Sequence, residues 1–600
     1  MRRIFFILPA LVCFLSPYAQ YDQIPHKFPF TKFEYTGGKE TVTYQEAIAW
    51  WKKLDSASPM VKMLEMGPTD AGYPLNLILV SADKDFKIQS IKKKKKTIIL
   101  INNGIHPGEP DGIDATMLLI RDLVSPYNIS PLPNTNGPVW VRENLPDNIV
   151  LAIIPVYNIG GTLNRSADYR VDQNGPEEFG FRGNSQNLDL NRDFIKCDSK
   201  EAFTFAKIFH YLDPDIQIDN HVSNGADYQH VLTLLSTQHN KLGGAAGKFL
   251  NETMEPALYA AMKNLGWDLI PYVNHFGDTP EKGWSEFWDS PRYSSGYAAL
   301  WTTFSFMPET HMLKPYKQRV EATRDLMKCF IGFASEHSTE INRIRKETKQ
   351  KEQTQMSFPI AWKWDRTKSK LISYKGFEAT HKPSDISGLQ RLYYDRSKPF
   401  EKQIPFYNVY TDTFSVQKPK AYIIPQGWWK VIERLQANQV QMKKLAKDSS
   451  IEVEWYRIES YQSGTRPFEG HHLNGNVQVS THKQKVNFRK GDYYIPLNQV
   501  ANRFIIETLE PQAEDSYFTW NFFDAILGQK EGYSDYHFED VAAEYLKNNP
   551  ELKAKLDQRK STDSSFAKSA GAQLNFIYQN SPWIEPAYLQ YPVFRVSSDK

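Results

Sequence analysis

Between residues 44 and 337 the chain alternates short apolar runs with stretches of helical periodicity. The runs 97–101, 149–154, 215–219, 231–235 and 301–307 are too short for core helices and are bounded by polar residues, which predicts strands. Ile113, Met117, Ile120 and Val124 share one face at helical spacing, and 200–212, 251–265 and 316–335 predict further helices. Near-continuous apolar strands separated by helices predict an α/β fold with a mixed, mostly parallel sheet covered by helices on both faces. Ligands of such sheets bind beyond the carboxyl ends of the strands, so polar residues just after strands carry the most interest.

The pattern changes after residue 341. Residues 342–355 are polar and charged without an apolar stripe and read as part of a linker. Beyond it the runs 406–411, 421–425, 451–458 and 492–496 predict a β-rich unit, with helices near Val431 and Gln499. The expected division is a signal segment at 1–20, a first domain at 21–341, a linker at 342–357 and a β-rich C-terminal domain of unknown role at 358–600. No internal repeat or low-complexity tract interrupts it.

The first residues sharpen the address. Met1-Arg2-Arg3, an apolar stretch 4–15 and the exit Ser16-Pro17-Tyr18-Ala19-Gln20 have the form of a cleaved secretory signal, so a secreted or periplasmic protein is expected. Cys13 lies inside the apolar run behind Val12, which argues against a lipoprotein signal. No run is long and uncharged enough to span a bilayer. The 72 Lys and Arg nearly balance the 69 Asp and Glu, so charge gives no case for a nucleic-acid partner. Two cysteines, Cys197 and Cys329, remain after the signal; a disulfide scaffold and a cysteine-rich metal site are excluded, and whether the two pair is left open.

The candidate chemistry sits at two strand ends. Strand 97–101 runs into Asn102-Asn103-Gly104-Ile105-His106-Pro107-Gly108-Glu109, and a His and a Glu three apart on a turn can reach one ion. Strand 215–219 ends in Asn220-His221, a second imidazole past a second strand. Between them lies Asn187-Leu188-Asp189-Leu190-Asn191-Arg192-Asp193-Phe194, a polar loop with one guanidinium.

The ordered set HPGE, YNIGG, FRG, LDLNRDF, DNH and PETH resembles the zinc metallocarboxypeptidases of the carboxypeptidase A type, in the manner of a large exported bacterial member. The resemblance covers about 44–337 and implies one zinc ion on His106, Glu109 and His221, with Asp189 orienting the His106 ring. It also implies that Asn191 and Arg192 grip a substrate's terminal carboxylate, that Arg182 stabilises the oxyanion and that Glu309 is the general base. The mobile tyrosine of the family matches Tyr293 in preference to Tyr297, and Arg292 competes as a carboxylate anchor. Two departures stand out. Gly108 occupies a place where many relatives carry an arginine, and Asn158-Ile159-Gly160-Gly161 replaces the usual Asn-Pro-Asp-Gly turn. The basic, histidine-containing stretch 466–472 of the second domain is a candidate to overhang a cleft.

The function this implies is exported hydrolysis of C-terminal residues from peptides through a zinc-activated water. One alternative keeps the zinc and takes peptidoglycan stem peptides or another non-peptide amide. Another is a non-catalytic peptide- or glycan-binding protein, disfavoured because the ligand positions and Glu309 are intact. Side-chain preference and oligomeric state are unreadable from the sequence.

Overall fold

The computed structural model describes residues 28–125 and 144–597; the expected signal segment, 1–20, lies outside the described residues. Strands β1 (Val61–Pro68), β2 (Pro74–Ser81), β3 (Thr97–Asn102), β4 (Ile149–Ile154), β5 (Ile216–Asp219), β6 (His221–Ser223), β7 (Leu232–Ser236), β8 (Ile270–Pro271) and β9 (Phe304–His311) form one sheet. Their order is β1-β2-β4-β3-β5-β9-β7-β8, with β6 paired to β9. The centre β4-β3-β5-β9 is parallel, whereas β1, β2 and β7 join antiparallel.

Every residue of β3 and β4 is buried, which their unbroken Ile, Leu and Val content requires of strands covered on both sides. Ile99, Ile101, Leu151 and Ile153 face helices α1 (Asp111–Val124) and, further along the chain, α3 (Tyr316–Glu336). Ile98, Leu100, Val150 and Ala152 face the opposite way, towards α2 (Lys200–Leu212) and its Phe205, Phe209 and Leu212. That second core continues without a break into Tyr422, Ile424, Leu435 and Phe504 of the C-terminal region.

Three local readings change. The run 301–307 predicts a strand ending before Pro308, but β9 spans Phe304–His311. Phe306 pairs with Ile218 and Glu309 with His221, so Pro308 faces the gap between β5 and β6, where its missing N–H costs no ladder bond. The stretch read as a linker is largely helix α4 (Ser338–Thr354). Its Ile341 and Ile344 are buried, and the buried Arg345 bonds Thr302 O at 2.9 Å and Asp213 Oδ1 at 2.8 Å, so charge there serves packing instead of solvation. The run 406–411 straddles a turn between strands Gln390–Tyr407 and Tyr410–Gln417.

The C-terminal region is rich in strands up to Tyr493–Pro496, including long hairpins such as Lys370–Pro383 with Gln390–Tyr407 and Ser449–Ser463 with Asn474–Phe488. It also carries helices at Asp535–Lys547, Pro550–Thr562 and Ala570–Gln579. Cys197 and Cys329 are both free and buried.

Candidate active site

His106 and Glu109 lie in the turn that carries β3 into α1, and His221 opens β6 immediately after β5. The parallel pairing of β3 with β5 aligns Asn102 with Asp219, so both strand ends deliver their polar residues to one edge of the sheet. There His106 Nδ1 lies 3.2 Å from Glu109 Oε2, His221 Nδ1 lies 3.2 Å from the same oxygen, and the two Nδ1 atoms are 3.2 Å apart. All three residues are buried.

The opposite ring nitrogens are anchored by carboxylates. His106 Nε2 is 2.9 Å from Asp189 Oδ1, and His221 Nε2 is 3.2 Å from Asp219 Oδ2. A proton held at each Nε2 leaves two Nδ1 lone pairs aimed at one another and at a carboxylate, an arrangement that repels unless a cation stands between them. Donors about 2.0–2.2 Å from a tetrahedral zinc are about 3.3–3.5 Å from one another, close to the spacing found here. The donor set therefore fits zinc.

The charges agree with that fit. Burial works against an imidazolium at His221, but Asp219, Glu109 and Glu309 outweigh it and push the ring well above its ordinary value. Burial likewise opposes ionisation of Glu109, yet His106 and Arg170 pull its carboxyl well below the usual range. Asp189 is held far below that range by His106 and Arg182 in spite of its burial.

Glu109 spends its two oxygens differently. Oε2 faces the histidines and accepts from Val222 N at 2.9 Å, whereas Oε1 accepts from Arg170 Nη1 at 2.7 Å. Arg170 reaches it across Gly108, where a Cβ would stand 2.8 Å from Arg170 Cδ. Gly108 thus admits an arginine from elsewhere in the chain. Arg182 lies at the mouth, its Nε and Nη2 3.0 and 2.9 Å from Asp189 Oδ2 and its side chain 45% exposed.

Asn191 and Arg192 sit in the short turn Leu190–Arg192, whose first amide beyond Leu190 bonds Asp189 Oδ1 at 2.9 Å. The Arg192 guanidinium stacks 4.6 Å from the Tyr293 ring centre, and Asn191 Oδ1 accepts from Ser294 N at 3.4 Å, joining the two segments. Tyr297 is elsewhere, fully buried with its hydroxyl 2.6 Å from Asn438 Oδ1. Arg292 is engaged by the buried Asp515, with Nε 2.9 Å and Nη2 2.7 Å from Oδ1, so it is not a free carboxylate anchor.

Glu309 stands inside β9, in register with His221 on one side and Thr233 on the other. Burial raises its carboxyl to about 8, helped by Glu109 and opposed by His221, Arg170 and Arg182. It therefore shares the electrostatic field of the His–Glu–His cluster.

Residues 47–225 match the zinc carboxypeptidase family. The chain contains a zinc carboxypeptidase domain. No curated protein matches. Among solved structures, a metallo-carboxypeptidase from Burkholderia cenocepacia is similar at 16% identity, over 49% of this chain and 69% of that one, with a TM-score of 0.36. Carboxypeptidase A from Helicoverpa armigera is similar at 16% identity, over 50% and 74%, with a TM-score of 0.35.

Within this zinc carboxypeptidase domain, sequence reasoning missed Arg170 and Asp219. Asp219 was within reach, because residues two apart on an extended chain point the same way and Asp219 precedes His221 by two. Arg170 carries no such signal, since its approach depends on the absent side chain of Gly108.

Proposed function

We propose that the protein is an exported zinc metallocarboxypeptidase that removes C-terminal residues from peptides, with one zinc on His106 Nδ1, Glu109 Oε2 and His221 Nδ1. The observation that carries the reading is the mutual 3.2 Å approach of those atoms, with both far ring nitrogens backed by carboxylates. A bound zinc supplies a Lewis acid for the scissile carbonyl and lowers the pKa of a water towards ~7.

The chain's own residues do the rest. Asn191 and Arg192 hold the free carboxylate, a task suited to the forked guanidinium, and Tyr293 steadies Arg192 from its ring face. Arg182 at the mouth balances charge developing on the carbonyl oxygen. The Glu309 carboxylate takes the proton of the attacking water and returns it to the departing amine. The expectation of export rests on the amino-terminal pattern; no helix of the described residues is long and apolar enough to cross a membrane.

Carboxylate capture is tested at Arg192. Lysine offers a point charge where arginine offers a planar fork, so Arg192→Lys is expected to raise KM for free-acid peptides at least about tenfold, the scale of charged hydrogen bonds, with zinc content unchanged. Blocked dipeptides with free C-termini are compared with the same peptides amidated. Equal cleavage of both by the wild type removes the carboxypeptidase reading and favours an amidase or endopeptidase.

A further inference from the structure

A hairpin turn of the C-terminal region reaches the site. Phe468 and His471 exchange backbone hydrogen bonds of 2.7 and 3.0 Å, leaving Glu469 and Gly470 as a two-residue tip. Both tip residues have positive φ, +50° for Glu469 and +81° for Gly470. Such tips favour Asn, Asp or Gly at both places, and a glutamate there is uncommon. An outlier of this kind directs attention to what its side chain does. Glu469 Oε2 accepts the backbone N–H of Asp189 at 2.7 Å.

We infer that Glu469 is a positioning residue for the carboxylate-gripping turn, and that the C-terminal region completes the substrate site by supplying it. This rests on the carboxypeptidase reading given above. Asp189 begins the turn Leu190–Arg192, so its amide sets where Asn191 and Arg192 start. Its side chain is fastened independently by His106 and by Arg182. Loss of the Glu469 contact therefore frees the backbone leading to Asn191 and Arg192 while the metal side of Asp189 stays held.

The hairpin is braced for this work. His471 Nε2 lies 2.7 Å from Asp198 Oδ2, just past the gripping loop, and Arg434 Nη2 bonds the other oxygen of Asp198 at 3.0 Å. On the far side of the grip, Asp515 holds Arg292, the neighbour of Tyr293. The two segments that carry Asn191, Arg192 and Tyr293 are thus fixed by the C-terminal region from both sides.

The test compares Glu469→Ala and Glu469→Gln in the full-length, zinc-loaded protein. A backbone N–H needs an acceptor and not a charge, so glutamine restores what alanine removes. Glu469→Ala is expected to raise KM for free-acid blocked dipeptides about 3- to 10-fold, the range of one hydrogen bond, with kcat within about twofold of wild type and one equivalent of zinc retained. Glu469→Gln is expected to return KM to near the wild-type value. Equilibrium binding of N-acylated amino acids by calorimetry should follow the same order without turnover. An alanine variant with wild-type KM and binding overturns the inference, as does a glutamine variant no better than alanine or an equal rise for amidated peptides. A wild type that neither prefers free-acid peptides nor binds the N-acylated amino acids instead overturns the functional reading, so the two failures are distinguishable.

Discussion

Glu309→Gln is expected to fold, to bind one equivalent of zinc and to bind substrate, while turnover falls by at least about two orders of magnitude, the usual contribution of a general base. The amide keeps the size and polarity of the carboxyl but cannot take a proton. Its tolerance in the fold follows from burial, which opposes charge at Glu309 and so is not offended by a neutral amide of the same size. Position in β9 also separates chemistry from scaffolding. The strand is held by backbone pairing to His221 and Thr233 on either side, and Glu309 O accepts from Thr233 Oγ1 at 3.1 Å whatever the side chain is. Nor does Glu309 cap helix α3, whose N-terminus at Pro315 receives no side-chain hydrogen bond. Near-normal turnover in a zinc-loaded variant would remove Glu309 from the base role, and loss of folding would make it structural.

What the sequence made legible followed from strand ends. The apolar run at 97–101 leads through Asn102-Asn103-Gly104-Ile105 into His106-Pro107-Gly108-Glu109, that at 215–219 stops immediately before Asn220-His221, and parallel strands that share a sheet bring such ends together. Glu309 was harder to place, because Pro308 reads as a strand terminator until the break between β5 and β6 removes the need for its N–H. The helix at 338–354 was hidden for a different reason. Its buried face consists of little more than Ile341, Ile344 and the paired Arg345, so a count of apolar residues finds no stripe. Long C-terminal strands such as Gln390–Tyr407 are exposed over most of their length, so selection for burial leaves no period-two pattern to detect. Glu469 lies 280 residues from the amide it bonds, and a side-chain contact to a backbone N–H at that separation leaves no trace in spacing or composition.

His221→Ala is expected to lose stoichiometric zinc at micromolar metal and, with it, activity. The substitution deletes one of three converging donors and leaves His106 Nδ1 and Glu109 Oε2, two ligands where catalytic zinc sites use three. It also strips Asp219, fully buried, of the imidazole 3.2 Å from its Oδ2, while Asn102 Nδ2 still bonds Oδ1 at 2.9 Å. Removing the ring beside a fully buried carboxylate lowers stability as well, so a lower melting temperature accompanies the loss of metal and has to be separated from it. Asp219→Asn makes the separation. It keeps every zinc donor and alters only the group behind His221, and such supporting changes typically weaken metal affinity about 10- to 100-fold without abolishing it. Elemental analysis and chelator competition should therefore rank wild type above Asp219→Asn and Asp219→Asn above His221→Ala. A His221→Ala protein that retains a full equivalent of zinc would mean that His221 is not a ligand, and a Asp219→Asn protein equal to wild type would mean that the carboxylate behind it does not set its orientation.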